Sequence, residues 1–161
     1  MNKGLSKKLN SLDRIDLKIL RILQTSGRIS ITELAKRISL SATPCTERMK
    51  SLESRGFIEG YQARLNPSLL SLELLVFVEI SLLRTSPDVF DEFREAVYKL
   101  PQVLECHLVS GNFDYLIKAR VADIAAYRKL LGETLLTLPG VSDSRTYVVM
   151  EEVKETQNLP I

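Results

Sequence analysis

The 161-residue sequence predicts an α+β protein in two parts, three short helices followed by a four-stranded sheet carrying two helices. Three observations predict this. Up to about position 55, apolar residues recur at helical spacing. From Leu74 onward, runs rich in Val, Ile, Tyr and Phe alternate with helical stripes in the order β-α-β-β-α-β. The charge divides between the same two parts: residues 1–64 carry 13 Lys+Arg against 6 Asp+Glu, and residues 65–161 carry 9 against 14. A basic first part joined to an acidic second part suggests a polyanion partner for the first.

The expected organisation is a basic arm (1–10), a helical domain (11–64), a turn-prone linker (65–73) and a sheet domain (74–161). In the first helix Asp13 is the expected cap, with Asp16 three residues on and Leu12 and Leu17 spaced as a staple. Ile15, Ile19 and Leu23 form its buried face, and Gly27 is placed to end it in a left-handed turn. Ser30-Ile31-Thr32-Glu33 is a capping box, followed by Ile31, Leu34, Ala35 and Ile38 on one stripe. A third helix starts within Ser41-Ala42-Thr43-Pro44, capped by Thr43 with Pro44 at the first position, or by Ser41. Its inward stripe is Cys45, Met49 and Leu52, and Gly56 ends it. Phe57–Leu65 alternates about Gly60 and is a candidate short strand.

In the second part, Leu74–Leu83 reads as a central strand. Ser86-Pro87 opens a helix with Phe90, Phe93, Val97 and Leu100 on one face. Val103–Val109 and Tyr115–Val121 are strands joined by a hairpin turn over 110–114. Asp123 caps a helix with Tyr127, Leu130, Leu131, Leu135 and Leu138 inward. Ser144–Met150 is the last strand. This order is the ferredoxin-like split unit.

Two short helices joined by a tight turn, with a third before them, form the helix-turn-helix unit that reads DNA, here of the winged type. At about 100° per residue, Thr43, Glu47, Lys50, Ser51 and Ser54 face away from Cys45, Met49 and Leu52, with Pro44 and Arg48 on the flanks. Arg48 or Lys50 is a candidate donor to guanine and Glu47 a candidate acceptor from cytosine. Phosphate contacts fall to Arg28, Lys36, Arg37 and Arg55, to the Ser30 and Thr43 hydroxyls, and to helix N-termini such as that at Ser41.

The segment Leu12-Asp13-Arg14-Ile15-Asp16, Gly27-Arg28-Ile29-Ser30, Glu33-Leu34-Ala35-Lys36-Arg37, Pro44-Cys45, Glu47-Arg48, Leu52-Glu53 and Gly56-Phe57-Ile58 strongly resembles the Lrp/AsnC, or feast/famine, regulators. So do Leu75–Ile80, Glu105–Leu116, Tyr127–Thr134, Leu138–Val141 and Arg145–Glu152. The resemblance covers nearly the whole chain. It implies a transcription regulator that binds double-stranded DNA, dimerises through its second domain and assembles as an octamer of four dimers. It also implies an amino-acid effector held between subunits near the hairpin Gly111–Asp114. A zwitterionic ligand asks for a carboxylate and for backbone N–H groups, which Asp114, Gly111 and Asn112 are placed to supply. By the family pattern, Leu108, Tyr147, Val148 and Val149 lie on neighbouring strand ends, and Ile124 and Leu136 are helical candidates for an apolar wall. Such a wall suits leucine or methionine.

No catalytic, nucleotide or metal motif stands out, so no cofactor and no enzymatic activity are expected. Cys45 and Cys106 lack a partner pattern for a disulfide or zinc site. His107 has no nucleophile or carboxylate constellation expected of a catalytic base. No apolar run reaches the roughly 20 residues of a membrane helix, and the expected location is the cytoplasm, on the nucleoid. Two further readings stand beside the regulator. One is an architectural DNA protein indifferent to small ligands. The other is a regulatory subunit of a biosynthetic enzyme, which predicts no duplex binding.

Overall fold

A computed structural model describes residues 12–84 and 86–161. The basic arm expected over residues 1–10 lies outside the described residues. The chain forms two compact units, the first made of residues up to Arg64 together with Lys154–Ile161, the second of Leu65–Val153.

In the first unit, α1 (Arg14–Thr25), α2 (Ile31–Ile38) and α3 (Ala42–Ser54) follow the apolar periodicity. Asp13 caps α1 as a full capping box with Asp16, and Ser30 caps α2 through the Glu33 N–H. Ser41, not Thr43, is the N-cap of α3, so Pro44 sits at the third helical position. It is still within the first turn, where a missing N–H breaks no intrahelical bond. Ile19, Leu20, Leu34, Ala35, Ile38, Cys45 and Leu52 bury against one another, with Ile15, Met49, Phe57 and Ile161 packed around them.

Three expectations change here. Gly27 does not adopt a left-handed conformation; α1 ends at Ser26, whose N–H donates to the Ile22 carbonyl. The left-handed residues in this unit are Ser39, after α2, and Gly56, after α3 with φ +73°. Phe57–Leu65 is not a strand, because no neighbour among the described residues pairs with it. The last residues, Lys154–Ile161, group with the helices rather than with the sheet, because specific bonds tie them to α1: Arg21 Nε donates to the Ile161 carbonyl at 2.5 Å and Gln24 Nε2 to the Leu159 carbonyl at 3.2 Å.

The second unit is built on β1 (Leu74–Leu82), followed by α4 (Pro87–Tyr98), β2 (Val103–Leu108), β3 (Tyr115–Val121), α5 (Ile124–Glu133) and β4 (Val141–Val148). The sheet order is β2-β3-β1-β4 with antiparallel pairing throughout, the arrangement that the β-α-β-β-α-β order predicts. Strand alternation divides the two faces. Val76, Val78, Ile80 and Leu82 of β1, with Tyr115, Ile117, Ala119 and Val121 of β3, bury against Phe93 and Val97 of α4 and Tyr127 and Leu130 of α5. The other face shows Phe77, Glu79, Leu116, Lys118 and Tyr147, half-buried to exposed.

The last helix ends earlier than its apolar stripe suggests. Leu135 lies in a 3-10 turn, Leu135–Thr137, and Leu138 is extended, yet both are buried. Apolar spacing therefore reports the core, while Pro139 and Gly140 (φ +75°) set the bend into β4. A Cβ on Gly140 would run into the Val89 side chain, so that bend also needs the missing side chain.

Phe93 is fully buried and stacks on Tyr115 with ring centroids 4.3 Å apart. Phe93→Ala is expected to cost about 3–5 kcal/mol, the range for emptying a buried aromatic site. Urea denaturation of the full chain checks this.

Candidate DNA interface and amino-acid site

The geometry of α3 sorts its polar residues. Cys45 and Leu52 are fully buried. On the side opposite, Thr43, Glu47, Lys50 and Ser54 are exposed, in a row along the helix; Ser51 is half-buried beside them, as is Pro44 near the N-terminal end. Ser41 is exposed at the N-cap and makes no side-chain cap bond. Arg28, Lys36, Arg37 and Arg55 are also exposed. Arg37 pairs with Glu33 at 3.1 Å, and the Arg55 guanidinium lies 4.8 Å from the Phe57 ring centroid. The Ser30 hydroxyl accepts from the Glu33 N–H at 3.2 Å, so its oxygen serves the cap of α2.

Arg48 differs from the others. Its Nη1 donates to Asp13 Oδ2 and to Asp16 Oδ1, each at 2.7 Å. Asp13 Oδ1 accepts the N–H groups of Ile15 and Asp16 at 2.8 Å. The Asp16 backbone N–H and then Arg48 hold the Asp13 carboxyl below its ordinary range. The two carboxylates in turn raise the Arg48 pKa, Asp13 most. Tyr61 closes the far end of α3, its hydroxyl donating to Glu53 at 3.0 Å; burial and that carboxylate push its pKa to about 12.

In the second unit the candidate effector residues divide. Asp114 is anchored at one end of the sheet: its Oδ2 accepts the Leu82 N–H at 2.7 Å, and its own N–H donates to the Ile80 carbonyl at 2.9 Å. Leu108 pairs with Tyr115 at that end, and Gly111 and Asn112 are exposed in the hairpin. Val148 instead pairs with Val76, and Val149 donates to the Leu75 carbonyl, at the other end of β1. Ile124 opens α5, just after β3 ends at Val121, whose partner is Leu74 at the start of β1. Six residue steps along β1 separate Val76 from Leu82, roughly 20 Å at about 3.3 Å per step. Leu136 lies in the turn between α5 and β4. Tyr147 is on the outer face, its hydroxyl donating to Glu79 at 3.0 Å.

Several of these residues are apolar yet exposed: Leu108 by 62%, Ile124 by 56%, Leu136 by 45% and Val148 by 42%. Glu105 sits between Lys118 (3.0 Å) and His107 (3.2 Å), which hold its carboxyl below the usual range, Lys118 most. Burial pushes the Cys106 thiol up to about 11, which leaves it protonated and unreactive near neutral pH. Among the described residues no group of three His, Cys, Asp or Glu side chains is placed to hold a metal, and no helix is long and apolar enough to cross a membrane.

Two predictions follow from these contacts. Because the folded-state pKa of Asp13 is depressed, its contribution to stability is present above its ordinary value of 3.8 and is lost as pH falls through the lower folded value. Asp13→Asn keeps a capping side chain but removes that charge, so its melting temperature should fall less than the parent's between about pH 5 and about pH 2. Thermal melts across that range test it. Asp114→Ala removes the acceptor of the Leu82 N–H and should cost about 1.5–3 kcal/mol, whereas Asp114→Asn, which keeps an acceptor, should cost less; denaturant titration distinguishes the two.

Comparisons with known proteins agree with this division. The family described as "Lrp/AsnC ligand binding domain" matches residues 75–159, and that described as "Winged helix-turn-helix DNA-binding" matches residues 12–59. The chain is 65% identical over 150 residues to the leucine-responsive regulatory protein of Escherichia coli strain K12, covering 93% of this chain and 92% of that protein. It is 62% identical over 161 residues to the protein of the same name in Serratia marcescens, covering 100% and 98%. A transcriptional regulator from Neisseria meningitidis, solved as an L-Met complex, superposes with a TM-score of 0.89 at 39% identity, covering 93% of this chain and 97% of that one. With a winged helix-turn-helix match over residues 12–59, an Lrp/AsnC ligand-binding-domain match over residues 75–159 and 65% identity to a leucine-responsive regulatory protein, the chain belongs to the Lrp/AsnC family of transcriptional regulators.

Proposed function

We propose that the chain binds double-stranded DNA through α3 and that this binding responds to leucine or methionine held between copies of the second unit. Thr43, Glu47 and Lys50 face the base edges, with Ser41, Pro44 and Ser51 along the same approach. Arg28, Ser30 and Arg55 flank them toward the phosphates. The working form is an assembly of dimers, an octamer of four dimers by the family pattern, acting in the cytoplasm on the nucleoid.

The observation that carries the ligand-linked part is the division of the candidate effector residues between opposite ends of one sheet. An amino acid spans far less than that separation. Leu108, Gly111, Asn112, Asp114 and Leu136 from one copy, completed by Ile124, Tyr147, Val148 or Val149 from another, make a site with a carboxylate for the ammonium and an apolar wall. Such a ligand favours whichever assembly brings the two sets together, and each 1.4 kcal/mol or so of differential binding changes the ratio of states tenfold. Respacing the reading helices then changes multivalent affinity for DNA without altering any base contact. The names of the relatives and the methionine in the Neisseria complex support these two effectors.

The test is a titration of the full chain with leucine, methionine and aspartate, following particle mass and duplex affinity together. Leucine or methionine should shift both, and aspartate neither. No shift with any of them would leave an architectural DNA protein, and no duplex binding at all would sink the regulator. Lys50→Ala should lower affinity for the selected site by about 1–3 kcal/mol and relax the preference at one base pair.

A further inference from the structure

We propose that Arg48 is a positioning residue, which sets the angle of α3 through Asp13 and Asp16 and does not itself touch DNA. This rests on the DNA-binding reading above. Arg48 is on the helix that carries the exposed row, but at about 100° per residue it lies only about 40° from Leu52 and roughly 100° from Glu47. Its side chain is 32% exposed and leans toward α1, where it reaches two carboxylates 32 and 35 residues earlier in sequence.

The carboxylate oxygens there are all engaged. Asp13 Oδ1 accepts the first-turn N–H groups of α1 and Oδ2 takes Arg48; Asp16 Oδ2 accepts the Asp13 N–H at 3.4 Å and Oδ1 takes Arg48. The Asp16 side chain is only 9% exposed. Turning the guanidinium toward a phosphate or a guanine would strand that nearly buried charge without its cation, a costly state. The capping box at the start of α1 is thus also the anchorage of the reading helix. Packing of Cys45 and Leu52 fixes the depth of α3, while an off-centre tie is needed to stop it rolling about those contacts.

The experiment compares full-length Arg48→Met, Arg48→Lys, Asp16→Asn and the double variant Arg48→Met/Asp16→Asn with the parent. All are measured at a temperature where circular dichroism shows each folded, on a duplex library with every position of the selected site varied and at several salt concentrations. Arg48→Met should lower affinity about tenfold or more at every sequence alike, leaving the base preferences and the slope against salt unchanged. Asp16→Asn should reproduce this, the double variant should be no worse than the poorer single one, and Arg48→Lys should recover part of the loss. Relaxed preference at one base pair would make Arg48 a reader, and a slope reduced by about 1 would make it a phosphate contact; either overturns the proposal. Unchanged affinity per folded molecule would reduce the bridge to a stability element and overturn it too, as would a normal Asp16→Asn variant. If the parent itself ignores duplex, the DNA-binding reading fails first and takes this one with it. Parent binding with any of the contrary variant results refutes the positioning role alone.

Discussion

Each unit is small, and a small domain still exposes a large share of its surface when folded, so directional ties between charged groups add to what apolar burial supplies. The constraint shows in how much each unit relies on a few ties made by charged groups. In the helical unit, seven buried residues form the centre, and the Arg48 bridge to Asp13 and Asp16 joins the first helix to the third across their edge. In the sheet unit, Asp114 pins the hairpin to the end of β1. The buried Arg120 pairs through both carboxylate oxygens of Glu152 at 2.7 Å and donates to the Leu72 carbonyl at 3.2 Å. Charge-assisted bonds of this kind are stronger than neutral ones and also directional, so they fix angles that packing leaves loose.

Much of the fold was legible because alternation and helical spacing are direct consequences of burial on one face. Leu34, Ala35 and Ile38 read as one helical stripe from spacing alone, and all three are buried. The caps at Asp13 and Ser30 were equally plain, since a short carboxylate or hydroxyl side chain just ahead of a helical stripe satisfies first-turn N–H groups; only the one at Asp13 closes as a reciprocal box, the Glu33 carboxylate pairing with Arg37 instead. What failed was termination. Gly27 is permitted a left-handed turn but not obliged to take one, and Ser39 took it where α2 ends. Phe57–Leu65 carries an alternating pattern, and a strand also needs a partner, which no local pattern specifies.

Exposure was legible on α3, and what a charged side chain reaches was not. Projection found the exposed row Thr43, Glu47 and Lys50 because only helical geometry is involved. Arg48 looked like its neighbour Lys50, since spacing says nothing about what an arginine reaches across 35 residues of chain. The signal available was its angle, nearer the buried stripe than the polar row, together with two acidic residues at the head of the first helix. The candidate effector residues posed the opposite problem. Family pattern grouped them as one list, whereas strand register places them at two ends of a sheet. Register depends on long-range pairing and was out of reach of periodicity.

The way the polypeptide runs has a consequence for how the two units can be parted. It passes between them twice, once on the way into the sheet unit and once on the way out, and on the sheet side a single guanidinium grips Leu72 and Glu152. The closing octapeptide is bound back onto the first helix by Arg21 and Gln24. A protease that nicks the segment between residues 65 and 73 therefore yields two fragments that remain associated, because the second fragment still ends inside the fold of the first. Severing the molecule into independent halves takes two cuts, and a gel that shows cleavage does not by itself show separation.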